Sequence, residues 1–159
     1  MQTIMVSASK QSLQLLEDRT QIATYSISTS KYGLGEEDGS YKTPRGKHTV
    51  RAMIGEGKPI NSVFVGRRHT GQIYSPKLAT EFPERDWILT RVIWLRGCEK
   101  GRNRLGLQDS MRRFIYIHGT PSSEPMGVPA SHGCIRMRNE DVIDLYDRIS
   151  YGCSVIISQ

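Results

Sequence analysis

The sequence contains little cysteine and no long apolar stretch. Only three of the 159 residues are cysteines, at positions 98, 134 and 153, and none of them forms a CxxC pair. So few scattered cysteines exclude a disulfide framework. No segment approaches the roughly 18 consecutive apolar residues that a membrane span needs. The sequence therefore predicts a globular protein that does not insert into a membrane.

Acidic residues are also in short supply. There are 16 Asp and Glu residues against 22 Lys and Arg, which gives a net charge of +6. A basic surface is either simply well solvated or suited to a partner rich in carboxylates. No nucleic-acid-binding motif accompanies the positive charge, so nucleic acid is not an expected partner.

The N-terminal segment MQTIMVSASKQ lacks the features of a secretory leader. It has no basic n-region, no long apolar h-region and no small-residue cleavage site. If Met1 is the native start, we expect the protein to lie in the cytoplasm. If a leader has been removed, we expect the periplasm.

Apolar periodicity predicts one mainly β domain over residues 1–159, with one or two helices (α+β). The helices are expected to begin at Ser75, as N-cap before Pro76, and at Asn139, as the cap of a helix running to about Ile149. A loop is expected over 28–46, and a lid over either 59–87 or 96–113. Strands are predicted at 4–6, 13–16, 22–27, 47–55, 90–95 and 154–157.

The stretch from 114 to 137 contains the candidate catalytic groups. An apolar, β-prone run leads to His118, and a loop rich in Gly, Pro and Ser then leads to Cys134. Reactive side chains on a loop that is held by a rigid strand are typical of a catalytic site. A thiol close to an imidazole can form a thiolate nucleophile, because a neighbouring imidazolium lowers the thiol pKa.

The sequence motifs of this stretch resemble those of a known family. HGT at position 118, followed after sixteen positions by the cysteine of SHGCIRM, is similar to the signature of the L,D-transpeptidase catalytic domain. Upstream, Thr43-Pro44-Arg45-Gly46 resembles the TPxG element of that family. The resemblance implies an L,D-transpeptidase-like β-sandwich or barrel. It also implies a cysteine acyltransferase of peptidoglycan stem peptides or muropeptides, with no metal or organic cofactor.

The same resemblance implies the roles of three residues. Cys134 corresponds to the nucleophile and His118 to the base, which is oriented by the backbone carbonyl of Gly119. His132 lies two residues before the cysteine and is a rival for the base, since both side chains face the same way in an extended segment. We expect His132 to be a supporting or substrate-contacting group instead.

Further site residues are predicted around the cysteine. The N–H groups of Gly133 and Cys134 are candidates for an oxyanion hole. Ser131 either sets the turn or touches substrate, and Arg136 either binds a substrate carboxylate or forms an internal ion pair. Outside the site, we expect packing roles for Cys98 and Cys153 and surface positions for His48 and His69.

Several functions remain open at this stage. We favour an L,D-carboxypeptidase that hydrolyses the bond between a diamino acid and D-Ala, with muropeptide recycling as its setting. Cross-linking or D-amino acid exchange by an L,D-transpeptidase is the alternative. More distant alternatives are a zinc-dependent hydrolase, with His118, His132 and Cys134 as ligands, and a non-catalytic peptidoglycan-binding module.

Overall fold

A computed structural model describes all residues, 1–159. The chain forms ten strands and two helices. In chain order these are β1 (Gln2–Ser7), β2 (Ser12–Glu17), β3 (Thr20–Ser28), β4 (Gly46–Ile54), β5 (Ser62–Val65), β6 (Arg68–Ile73), α1 (Pro76–Glu81), β7 (Ile88–Gly97), β8 (Tyr116–Gly119), β9 (Ile135–Met137), α2 (Asn139–Arg148) and β10 (Ser154–Ser158). The prediction of a mainly β chain with one or two helices is confirmed.

Eight of the strands form a closed sheet. Its order is β4-β10-β1-β2-β3-β9-β8-β7, and β7 pairs with β4 to complete the ring. The hairpin β5–β6 extends the sheet from the first residues of β7. The pairs β1–β10 and β8–β9 are parallel, and the other neighbours are antiparallel. A closed sheet of this kind confirms the expected barrel architecture.

Alternating side chains build the core inside the ring. In β1, Ile4 and Val6 are buried, and their neighbours are partly exposed. The same two-residue period buries Leu13 and Leu15 in β2, because successive side chains of a strand point to opposite faces. Helix α2 adds its apolar stripe to this core of 20 buried residues. No helix of the chain is long and apolar enough to cross a membrane.

One predicted helix cap is confirmed and the other is wrong. The Ser75 hydroxyl accepts from the Leu78 N–H, and Pro76 opens α1. Arg138, not Asn139, occupies the N-cap position of α2 and makes no side-chain cap bond. Asn139 is the first helical residue and is buried, because its side-chain amide instead donates to the Thr120 carbonyl.

The segment after position 59, one of the two expected lids, contains two strands that were not predicted. It forms the β5–β6 hairpin before α1. Strand β7 is also longer than the predicted 90–95 and takes in residues 96 and 97 of the second expected lid. The rest of that segment, 98–113, is irregular apart from one short turn of 3-10 helix. Asp18 and Arg19 have φ values of 47° and 73°, which suit a tight hairpin between β2 and β3.

Candidate active site

Strands β8 and β9 bring His118 and Cys134 onto one face of the sheet. The two strands are parallel neighbours, with His118 opposite Arg136. Ile117 and Ile135 point into the main core, so the alternate residues point to the other face. Cys134, just before β9, packs there against Tyr116. His118 and Cys134 are therefore diagonal neighbours on this face of the sheet.

The His118 ring is held in one tautomer by the backbone. Its Nδ1 lies 2.6 Å from the Gly119 carbonyl oxygen. A carbonyl can only accept a hydrogen bond, so Nδ1 carries the proton and Nε2 has a free lone pair. Gly119 is needed for this geometry, because a Cβ there would lie 2.6 Å from the Leu89 carbonyl oxygen and would also overlap the Asn139 side chain.

The Cys134 sulfur is half-buried between two backbone groups. It accepts from the Tyr116 N–H at 3.3 Å, and its thiol donates to the Phe114 carbonyl at 3.4 Å. The Cys134 N–H itself makes no hydrogen bond within the chain. The site thus contains a neutral thiol with a free backbone donor beside it.

Burial controls the protonation of both reactive groups. It raises the pKa of Cys134 to about 12, although the Tyr116 N–H and the charges of Arg136 and Arg113 oppose this shift. Burial also lowers the pKa of His118, against the hydrogen bond to Gly119. Both shifts favour the neutral form of the group at pH 7. These shifts favour a neutral thiol and imidazole over the imidazolium-stabilised thiolate that the sequence led us to expect.

Arg136 lies in an internal ion pair. Its side chain is only 5% exposed. It donates to Asp86 Oδ1 at 2.6 Å and to Glu124 Oε2 at 3.4 Å. Burial alone would raise the pKa of Asp86, but the positive charge of Arg136 and its hydrogen bond bring it below the ordinary value. Of the two interpretations of Arg136, the structure shows the ion pair.

His132 lies at the rim of the site. Its side chain is 43% exposed, and its Nδ1 lies 3.3 Å from Asp86 Oδ2. It thereby joins the same carboxylate that neutralises Arg136. Nothing in the sequence pointed to Asp86, which comes from the segment before β7 and is brought to the site only by the fold.

Ser131 and Gly133 shape the turn that presents the cysteine. The Ser131 hydroxyl donates to the Cys134 carbonyl at 2.6 Å and accepts from the Gly133 N–H at 3.3 Å. Gly133 has φ +129°, a conformation that side chains disfavour. Of the two N–H groups predicted as oxyanion donors, that of Gly133 is bonded to Ser131 and that of Cys134 is free.

Several aromatic and cationic side chains form the wall next to the thiol. The Arg67 guanidinium, at the tip of the β5–β6 hairpin, stacks 4.7 Å from the Trp94 ring and 4.9 Å from the Phe114 ring. It also donates to the Tyr116 hydroxyl at 3.1 Å. The hairpin is thus attached beside Cys134, and it belongs to one of the two segments proposed as a lid.

Three of the predictions for the remaining histidines and cysteines differ from the structure. His48 is buried, with Nε2 2.8 Å from the Ser110 hydroxyl, because the long loop after β7 covers it. His69 is half-buried against the Phe64 ring. Cys98 is exposed, not packed, whereas Cys153 packs in the main core as predicted.

The arrangement does not gather metal ligands. No group of three or more His, Cys, Asp or Glu side chains is placed to hold a metal ion. The Nδ1 of His118 is occupied by the Gly119 carbonyl, and that of His132 faces Asp86. The three side chains considered as zinc ligands therefore do not form such a site.

The family model and the related sequences that match this chain all belong to one family. The YkuD family model, described as the L,D-transpeptidase catalytic domain, matches residues 1–157. A probable L,D-transpeptidase of Escherichia coli K12, YbiS, is 31% identical over 125 residues, which is 72% of this chain and 40% of that protein. The probable L,D-transpeptidase ErfK/SrfK of Salmonella typhimurium is 32% identical over 127 residues, 74% of this chain and 40% of its own. The chain thus spans about 40% of the length of these relatives.

Solved structures agree on the fold. The L,D-transpeptidase of Xylanimonas cellulosilytica has a TM-score of 0.61 at 20% identity, covering 99% of this chain and 60% of that one. L,D-transpeptidase 3 of Mycobacterium tuberculosis has a TM-score of 0.61 at 17% identity, covering 99% and 61%. The match of a single family model to nearly every residue means that this chain belongs to the family of L,D-transpeptidase catalytic domains.

Proposed function

We propose that the chain is a cysteine acyl-transfer domain that acts on peptidoglycan tetrapeptide stems. The bond that it cleaves joins the diamino acid at the third position to the terminal D-Ala. One observation carries the proposal. Cys134 and His118 are diagonal neighbours on paired strands, and the free Nε2 of His118 belongs to a ring whose other nitrogen is fixed by Gly119. Family membership supports the substrate class.

The neutral resting groups favour general-base activation of the thiol. His118 Nε2 takes the thiol proton as Sγ forms a bond to the substrate carbonyl carbon. The electron pair of the carbonyl moves to its oxygen, and the free N–H of Cys134 is the donor available to this oxyanion. Because burial disfavours a standing thiolate, proton transfer and attack occur together.

Collapse of the tetrahedral adduct gives the thioester. The carbonyl re-forms, the bond to nitrogen breaks, and the imidazolium of His118 returns its proton to the departing D-Ala amine. His118 is then neutral again and can deprotonate the acceptor. The chemistry uses side chains and backbone of this chain throughout, and it needs no cofactor.

We further propose that water is the main acceptor, which makes the net reaction that of an L,D-carboxypeptidase. Water is present at bulk concentration and needs no binding site of its own, whereas an amine acceptor requires a second peptide or amino acid to bind beside the thioester. The amine acceptor of a transpeptidase is the second candidate, favoured by the names of the relatives.

The test is to incubate the purified protein with disaccharide-tetrapeptide, with and without a labelled D-amino acid. Tripeptide as the main product in both reactions supports the carboxypeptidase. Labelled exchange product or dimers in excess of tripeptide would show a transpeptidase. Cys134→Ala should abolish both activities, and Cys98→Ala, which removes an exposed thiol outside the site, should preserve them.

Two further treatments separate the more distant alternatives. Loss of activity with a thiol-alkylating reagent, but not with a zinc chelator, supports the cysteine mechanism. Loss with the chelator alone would favour a zinc hydrolase. Binding of the substrate without any turnover would favour a peptidoglycan-binding module.

A further inference from the structure

The Thr43 hydroxyl is joined to the backbone beside the nucleophile. Thr43 is fully buried, and its Oγ1 donates to the Gly133 carbonyl at 2.9 Å. The same oxygen accepts from the Ser30 N–H at 3.0 Å. Because the Ser30 N–H is the donor in its bond to Thr43, the hydroxyl proton of Thr43 remains available for the bond to the Gly133 carbonyl. Thr43 begins the TPxG element, which has no role in the chemistry described above.

This contact fixes the peptide plane between Gly133 and Cys134. The carbonyl of Gly133 and the N–H of Cys134 belong to one planar trans unit, in which they point in opposite directions. A bond that holds the carbonyl therefore also aims the N–H. Gly133 lacks a Cβ and has φ +129°, so its own residue type does little to restrict this plane.

The N–H group that this bond orients, that of Cys134, is a free donor in the site. Cys134 N–H makes no hydrogen bond within the chain, whereas the Gly133 N–H is bonded to Ser131. An oxyanion donor is effective only when it is held in place before the charge develops. We propose that Thr43 is a positioning residue that holds the Cys134 N–H in the direction of the developing oxyanion. This inference rests on the acyl-transfer function proposed above.

The rest of the element holds Thr43 in place. Arg45 forms two parallel hydrogen bonds with Glu36, each of 3.0 Å. Arg113 donates to the Lys42 carbonyl at 2.6 Å, immediately before Thr43. The element ends at Gly46, where φ is +98° and a Cβ would overlap the Glu99 carboxylate. The hydroxyl is thus carried by a segment that is fixed on both sides.

Two reactions of the same thiol provide the test. Acylation by p-nitrophenyl acetate passes through an oxyanion, whereas alkylation by iodoacetamide is a displacement at a saturated carbon and forms none. Thr43→Val removes the hydroxyl and keeps the branched shape. We expect this variant to be acylated at Cys134 about 10- to 100-fold more slowly than the wild type, with its alkylation rate unchanged.

Two control variants accompany Thr43→Val. Thr43→Ser keeps the hydroxyl and should be acylated at nearly the wild-type rate. Thr80→Val removes a hydroxyl that also donates to a backbone carbonyl, that of Pro76, but on the exposed helix α1, and it should change neither reaction. If Thr43→Val does not fold, Thr43→Ala is compared with Thr43→Ser in the same way.

Three outcomes would overturn the inference. Equal loss of acylation and alkylation in Thr43→Val would mean that the hydroxyl supports the fold or thiol ionisation instead. An unchanged acylation rate in folded Thr43→Val would mean that Thr43 does not position the Cys134 N–H. Loss of acylation in Thr43→Ser as large as in Thr43→Val would contradict a role for the hydroxyl. The test does not depend on the natural substrate: a wild type that reacts with the ester but not with tetrapeptide would refute the proposed function alone.

Discussion

The Arg136 guanidinium donates to Asp86 Oδ1 at 2.6 Å, and this contact joins β9 to the segment before β7. The cation is 5% exposed and the carboxylate 43%. A buried charge that loses its partner is costly. Arg136 therefore supports β9, the strand that follows Cys134, and its Nη1 and Nη2 atoms are bound to protein carboxylates.

We expect Asp86→Asn to destabilise the protein by about 1–3 kcal/mol, below the cost of breaking a fully buried pair because Asp86 is partly exposed. Glu124→Gln is the matched control. It removes a second carboxylate from Arg136, but one at 3.4 Å, and should cost less than about 1 kcal/mol. Urea unfolding of the two variants measures the difference. A larger loss for Glu124→Gln would contradict this assignment of the main partner.

The two histidines should differ strongly in their effect on acylation. His118→Ala removes the only ring whose Nδ1 is fixed by a backbone carbonyl next to the cysteine, and we expect a loss of about 10²–10⁴-fold. His132→Ala should lose less than about tenfold, because the residue is exposed at the rim. Thioester formation on tetrapeptide, measured by intact mass, gives the order. The reverse order in folded variants would exchange their roles.

The reactivity of the thiol should rise with pH without reaching a plateau. Burial raises the pKa of Cys134 to about 12, so the thiolate fraction grows about tenfold per unit between pH 7 and pH 9. The rate of alkylation by iodoacetamide at Cys134, followed by peptide mass mapping in a Cys98→Ala background, should grow in proportion. A constant rate over this range would instead indicate a thiolate already paired with an imidazolium.

His48 should lower the free energy of unfolding of the protein in acid. Burial lowers its pKa to about 4, whereas an unfolded histidine titrates near 6.5. Between these two values the unfolded chain binds more protons, so stability is complete above pH 6.5 and falls as the pH drops towards 4. The loss is about 3 kcal/mol in total.

The variant His48→Gln removes this titration. Urea unfolding at pH 7, 5.5 and 4.5 should therefore show a flatter pH dependence for the variant than for the wild type. Carboxylates titrate in both proteins, so the difference between the two curves isolates the histidine. Parallel curves would show that His48 does not titrate as its burial requires.

Local patterns in the sequence were sufficient for much of the fold. Ile4 and Val6 alternate with less buried neighbours, and a period of two is a property of the strand itself, so β1 is predicted without knowledge of its partners. Ser75 and Pro76 likewise define the start of α1 within a few residues. The His118 and Cys134 motif also lies in a short stretch of the chain.

Features that depend on distant partners could not be predicted in this way. His48 has polar sequence neighbours, yet Ser110 comes from the loop after β7 and covers it. Asn139 has the residue type of a cap, but its partners Thr90 and Thr120 lie in other parts of the chain. Asp86 reaches Arg136 across 50 residues. Such contacts are set by the closed sheet and not by local propensity.

The expected cytoplasmic location stays a prediction. Fractionation of the source cells, with the protein detected by an antibody, would distinguish the cytoplasm from the periplasm.

The position of β10 between β1 and β4 has a consequence for how the chain folds. β10 pairs with both of these strands, so the ring stays open between them until residues 154–158 have been synthesised. Until then β1 is unpaired on the side where β10 will add. The nascent chain therefore exposes the unpaired N–H and C=O groups of a strand edge, which promote aggregation. Contacts of such long sequence separation also slow folding. We therefore expect ring closure to follow synthesis of nearly all the residues described here, and chaperones that shield strand edges to improve the yield of folded protein.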